Sequence, residues 1–139
     1  MSLCELCTSQ EQQVVVQQEE WRIVLIKDIN YPGYCQVVWT EHVKEMSDLN
    51  GAQKTRFMDV VWRVESAIRQ VMQPEKINLA SLGNMTPHLH WHIIPRYCDD
   101  MHYPKPIWGR ATKIPSKVTL DARRALLPAL RAALVKEFE

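Results

Sequence analysis

The chain has 139 residues, enough for one domain with its own core and too few for two ordinary ones. Hydrophobic residues make up 46% and charged residues 24%, a globular balance that excludes a disordered chain. The formal net charge of +1 argues against a surface that adheres broadly to nucleic acid, although one local phosphate site is compatible with it.

No apolar run approaches the ~20 residues needed to cross a bilayer. Met1 to Glu5 hold no basic stretch leading into an apolar one, so the sequence predicts no secretory signal and a cytoplasmic location. In chain order, Val14–Val16 reads as a short strand. Trp21–Ile26 is apolar and β-branched and reads as a strand. Asn30-Tyr31-Pro32-Gly33 is a turn signal, and Tyr34–Trp39 reads as the antiparallel return strand. Ser47 to Asn50 are helix-capping residues. After them Phe57, Val60, Val61, Val64, Ala67, Ile68, Val71 and Met72 recur at three- and four-residue steps, which predicts a helix over roughly 52–72, stopped by Pro74.

Ile77–Leu82 resumes a strand pattern, Gly83–Pro87 is a loop, and His88–Pro95 reads as a second strand. Residues 99–118, with Pro104, Pro106, Gly109 and Pro115, read as an irregular connection. Leu120–Phe138 is rich in Ala, Leu and Arg and reads as a helix covering the sheet, with Pro128 making a kink or a late start. The sum is an α+β fold: a mostly antiparallel sheet, one long central helix and a C-terminal helix. Residues 1–139 are read as a single domain, with a helical extension over about 119–139.

Three of the five histidines fall within five residues, His88-Leu89-His90-Trp91-His92. At the strand period of two they share one face, while Leu89, Trp91 and Ile93 point into a core. Two chemistries suit such a row. It can ligate a metal, or one imidazole can attack phosphorus while another assists. Spacing does not choose between them. Gly83 and Asn84 before the row and Arg96 after it suit an anionic ligand.

The run Gly83-Asn84-Met85-Thr86-Pro87-His88-Leu89-His90-Trp91-His92-Ile93-Ile94-Pro95-Arg96 resembles the signature of the histidine triad superfamily, His-x-His-x-His followed by two hydrophobic residues. The order of hairpin, long helix and motif-bearing strand pair is similar as well, over roughly residues 4–110. The small bacterial hydrolase-like members are the nearer match. The resemblance implies a nucleotidyl hydrolase or transferase acting on a purine nucleotide conjugate, such as a dinucleoside polyphosphate or a nucleoside phosphoramidate. His90 would attack the α-phosphorus and form a covalent nucleotidyl-histidine. His92 would bind phosphate or assist the leaving group, and the backbone at His88 would orient the nucleophile. No cofactor is needed for that chemistry.

The resemblance also implies that Asn84, in its loop with Gly83, contacts the phosphate or the leaving group and that Asp28 holds the ribose. Many relatives carry Ser or Thr where this chain has Met85. Thr86, next to it, would face the other way in a regular strand. Met85 leaves room for a second reading, a nucleotide-binding regulatory or adaptor protein with little turnover. A third is a metalloenzyme with all three histidines on one ion.

Cys4-x-x-Cys7 alone is a weak metal signal. Several histidine triad proteins bind structural zinc, and by resemblance Cys4, Cys7, His42 and His88 would form a closed tetrahedral site. Cys35 and Cys98 are read as packing residues. Trp21, Trp39, Trp62 and Trp91 fall on predicted core faces, whereas Trp108 packs over the site, lies at a subunit interface or plugs a surface. Lys105, Arg110 and Lys113 either meet a polyphosphate or form a solvated basic loop, the latter being the preferred reading. Family members are commonly homodimers, and the resemblance implies one here. Neither a nucleic acid polymer nor a membrane is expected as a partner.

Overall fold

The computed structural model describes residues 4–8 and 13–139. Its elements are α1 (Glu5–Thr8), β1 (Gln13–Gln17), β2 (Trp21–Leu25), β3 (Cys35–Trp39), α2 (Gly51–Met72), β4 (Lys76–Ala80), β5 (His90–Arg96), α3 (Lys117–Arg124) and α4 (Leu127–Glu137). The strands form one sheet in the order β1-β2-β3-β5-β4, antiparallel at every step. The expected α+β architecture is the one observed. No helix of the described residues is long and apolar enough to cross a membrane.

Local chemistry sets the ends of α2. The Asn50 side chain accepts from the Gln53 amide at 2.9 Å, and Gln53 answers to the Asn50 amide at 3.0 Å, a reciprocal cap. The helix stops at Gln73, which takes a left-handed backbone (φ 49) just before Pro74. Phe57, Val60, Val61, Val64, Ala67, Ile68 and Met72 are buried along one face, the predicted stripe. They pack on Ile23, Val37, Trp39, Leu89 and Ile93 of the sheet side. The β2–β3 turn needs a glycine. Gly33 has φ +93, and a Cβ there would sit 3.0 Å from the Met72 side chain.

The C-terminal helix of the sequence reading is two helices. Ser116 caps α3, the chain breaks at Ala125 and Leu126, and Pro128 lies in the first turn of α4. There its missing N–H costs nothing, so Pro128 marks a late start and not a kink. The α4 helix packs on α2 and on the edge strand β1, instead of lying across the sheet. Leu130 and Leu134 are fully buried in the main core. Leu134→Ala is expected to lower stability by about 2–5 kcal/mol in a denaturant titration. A loss below about 0.5 kcal/mol would mean that α4 is not part of the cooperative core.

Three further expectations are corrected. Trp62 is 54% exposed, because it stands on the face of α2 turned away from the sheet. Cys98 is exposed, whereas Cys35 is buried and burial pushes its thiol up to about 12. The motif strand begins at His90, not His88. His88 leaves the ladder because the Leu89 amide turns to the Val43 carbonyl at 2.7 Å, while the Leu89 carbonyl still accepts from the Trp39 amide at 3.1 Å.

Candidate active site and metal centre

The departure of His88 from the strand sends its ring to a different place from its two neighbours. Cys4 and Cys7 lie on one turn at the start of α1, and His42 follows β3. The Arg22 guanidinium donates to the Leu6 carbonyl at 2.6 Å and ties that turn to β2. The His88 Nδ1 atom lies 3.3 Å from Cys4 Sγ, 3.4 Å from Cys7 Sγ and 3.1 Å from His42 Nδ1. Cys7 Sγ lies 3.4 Å from His42 Nδ1, and all four ligand atoms fall within 4.8 Å of one another.

His88 Nε2 donates to the Trp39 carbonyl at 2.6 Å, which leaves a lone pair on Nδ1 pointing into the cluster. Burial holds the His88 ring below the usual imidazole range, in its neutral form. Burial and the neighbouring Cys4 push the Cys7 thiol up, because two adjacent thiolates repel. A divalent cation is what stabilises both thiolates together. A tetrahedral zinc ion with two thiolates and two imidazoles separates its ligand atoms by about 3.3–3.8 Å. The nitrogen–sulfur separations of 3.3–3.4 Å lie at the short end of that range, and the 3.1 Å between the two nitrogens is slightly shorter.

His90 and His92 obey the strand period and stand side by side, with ring centroids 4.8 Å apart. His90 Nδ1 donates to the His88 carbonyl at 2.5 Å. That bond places the proton on Nδ1 and leaves the lone pair on Nε2. His92 is set the opposite way. Burial pushes the Tyr34 hydroxyl up to about 12, so it stays protonated and donates to His92 Nδ1 at 2.5 Å. The Gln36 amide nitrogen donates to the same atom at 3.4 Å. The His92 proton therefore sits on Nε2. Burial, and secondarily His90, push His92 down to about 4, so it is neutral at neutral pH. One ring thus offers a lone pair and its neighbour an N–H. With both His88 nitrogens engaged elsewhere, the three histidines do not converge on one ion. The arrangement with all three on a single catalytic metal is set aside on that geometry.

The two rings floor a cleft of about 580 Å³. Gln36, Asn84, Met85, Thr86 and Trp108 are among its walls, with Glu5, Leu6, Leu82 and Gly83. Gly83 has φ +145, a conformation that side chains disfavour, and it turns the loop over the histidines. Because this loop is irregular, Met85 and Thr86 both border the cleft; the strand alternation that would turn Thr86 away does not apply. Asp28 is not among the lining residues. Its carboxylate accepts from the Asn30 amide at 3.0 Å and organises the hairpin turn. Lys105, Arg110 and Lys113 do not line the cleft either.

Sequence reasoning missed Tyr34 and Gln36, whereas Trp108 takes one of the places expected for it, over the site against His92. A signal for Gln36 was present. Cys35, Val37 and Trp39 alternate into the core, so Gln36 faces the other way, opposite His92 in the β3–β5 register.

A family model described as HIT domain matches residues 8–99. The chain belongs to the histidine triad family. This histidine triad chain is 28% identical over 101 residues to an AP-4-A phosphorylase of Mycobacterium tuberculosis. The match covers 68% of this chain and 51% of that protein, so the chain spans about half the length of the curated relatives it matches. A histidine triad protein of Bradyrhizobium japonicum superposes with a TM-score of 0.72 at 28% identity, covering 92% of this chain and 91% of the other. One of Marinobacter aquaeolei gives 0.72 at 26%, covering 96% and 97%. A zinc-bound family protein of Mycobacterium smegmatis shares the fold, with a TM-score of 0.65 at 19% identity over 96% of this chain and 94% of its own.

Proposed function

We propose that the cleft binds a purine nucleotide conjugate and that His90 transfers its nucleotidyl group, as a hydrolase when water is the acceptor. The observation that carries this reading is the different hydrogen-bond partners of two adjacent rings, which assign them opposite tautomers. His90 Nε2 holds a lone pair because Nδ1 is tied to the His88 carbonyl, and His92 Nε2 holds a proton because Nδ1 accepts from Tyr34. The bond from His90 Nε2 to the α-phosphorus forms as the bond to the leaving atom breaks. The leaving atom departs with the electron pair, hydrogen-bonded to His92 Nε2–H, and takes its proton from water. A water molecule then attacks phosphorus, releasing the nucleoside monophosphate and restoring His90. Asn84 and Thr86 supply donors to the phosphate oxygens, and Gly83 lets the backbone come close. Asp28 keeps its proposed role at the ribose: one carboxylate oxygen accepts from the Asn30 amide, and its charge acts on Tyr34 beside His92. These residues carry the step without a cofactor.

Intact-protein mass spectrometry after rapid quench with an adenosine conjugate is expected to show one added nucleotidyl group, mapped to His90 and missing in His90→Ala. Undiminished turnover by His90→Ala would refute the assignment. The exposed Met85, standing at the cleft edge where relatives carry a hydroxyl, favours a second reading. In that reading the protein binds nucleotide tightly and turns over slowly, and tight binding without release of monophosphate would select it.

The second group of residues is read as a structural zinc site of Cys4, Cys7, His42 and His88. Elemental analysis is expected to find about one zinc per chain, lost in the Cys4→Ser, Cys7→Ser double variant together with thermal stability. A zinc that survives that variant and leaves with His90→Ala and His92→Ala would overturn the reading. The homodimer implied by the resemblance belongs to the same proposal. Strand β4 ends the sheet and Trp62 is exposed on α2, and sedimentation of the purified chain tests it.

A further inference from the structure

Trp108 is 51% exposed, yet the chain around it is anchored on both sides. Arg96 Nη2 donates to the Lys105 carbonyl at 2.6 Å, and the Gly109 amide closes a turn on the Pro106 carbonyl at 3.0 Å. Ile107 is held in a small cluster with Tyr31, Tyr34 and Ile94. The indole meets the His92 ring at 5.0 Å between centroids and 72° between planes. A large aromatic left half in water while its neighbours are fixed presents a ready-made apolar wall. Leu82 and Met85, both exposed, also border the cleft.

The charge of the cleft points the same way. Among the described residues that line it there is no lysine or arginine, and Glu5 is the one charged side chain. Lys113, on the same loop as Trp108, donates to the Cys98 carbonyl at 2.9 Å instead. A leaving group made of further phosphates would bring several negative charges to a wall with no cation to meet them. A flat apolar group meets an indole.

We infer that Trp108 forms the leaving-group subsite, and that the group departing beside His92 is flat, apolar and free of phosphate, stacked on the indole. This rests on the assignment of transfer to His90 and His92, which places the leaving atom on the His92 side. It separates the substrate class of this cleft from dinucleoside polyphosphates.

The test is equilibrium binding by calorimetry in the non-reacting His90→Ala background. Its ligands are adenosine 5′-phosphoramidates of naphthylmethylamine and of methylamine, with diadenosine tetraphosphate as the third. The naphthyl conjugate is expected to bind roughly tenfold tighter than the methyl one, the size of one aromatic stacking contact. It is also expected to bind tighter than the tetraphosphate. That ratio should collapse towards one when Trp108→Ala is added and largely persist with Trp108→Phe. A ratio unchanged by Trp108→Ala, or tightest binding by the tetraphosphate, overturns the inference. Failure of the transfer reading is seen separately, as a missing nucleotidyl adduct on the otherwise wild-type protein. A naphthyl preference without an adduct keeps the Trp108 subsite and removes the chemistry, and an adduct without the preference does the reverse.

Discussion

Asp100→Ala is expected to lower the stability of the fold by about 3–5 kcal/mol, read as a shift of the denaturant midpoint at constant slope. Asp100 and Arg96 are both buried, and the Asp100 carboxylate accepts from Arg96 Nε at 2.8 Å and Nη2 at 3.1 Å. It also accepts from the amides of Tyr97 at 3.0 Å, His102 at 3.0 Å and Tyr103 at 2.7 Å, and from the Tyr31 hydroxyl at 3.3 Å. Removing the carboxylate leaves a guanidinium and several backbone donors without their acceptor, inside the protein. The same guanidinium bonds Asn78 Oδ1 at 2.6 Å, joining β4 to β5 and to the loop that presents Trp108. A loss under about 1 kcal/mol would show that water replaces the carboxylate and that the hub is not a closed network.

The same hub has a pH signature. Burial works to raise the Asp100 carboxyl, but Arg96 and the backbone amides of Tyr97, His102 and Tyr103 outweigh it and hold the group at about 2. A depressed folded-state value means that the unfolded chain binds the proton first. The stabilisation is fully present above the ordinary carboxylate range and is lost as pH falls from about 4 through about 2. The acid limb of the stability curve should therefore be shallower in Asp100→Asn than in the wild type, by roughly 2 kcal/mol across that window. Identical acid limbs would assign the acid sensitivity to other carboxylates.

The parts of this protein that were legible in the sequence are those governed by local periodicity. The α2 stripe, the Asn50 cap and the Pro32-Gly33 turn each depend on residues a few positions apart. The alternation of Leu89, Trp91 and Ile93 against the two strand histidines is local as well. What escaped depends on distant partners. His88 reads as a strand residue until the Val43 carbonyl takes the Leu89 amide; its grouping with Cys4, Cys7 and His42 is implied by the family resemblance and not by strand periodicity. Trp62 reads as core because apolar residues flank it, but the sheet lies on the other side of α2. Packing of Trp108 over the site is one of several readings, and only the irregular loop fixed by Arg96 selects it.

Within the cleft, the opposite tautomers of His90 and His92 lead to unequal losses. His90→Ala is expected to reduce release of nucleoside monophosphate by at least about 10³-fold, because the covalent route then has no acceptor for phosphorus. His92→Ala removes a hydrogen-bond donor to the leaving atom while the nucleophile stays, and the expected loss is about 10²-fold. Tyr34→Phe deletes the donor to His92 Nδ1 but leaves Gln36 on the same atom, so the loss should be smaller still, about tenfold. The order matters more than any one value. It follows from which ring bonds to phosphorus, which ring only donates to the departing atom, and which hydroxyl only sets the tautomer of that donor. Steady-state rates of the three variants on one conjugate decide it. If His92→Ala lost more than His90→Ala, and the adduct appeared on residue 92, the two rings would have to exchange roles. The Tyr34 hydroxyl would then serve the nucleophile instead of its partner.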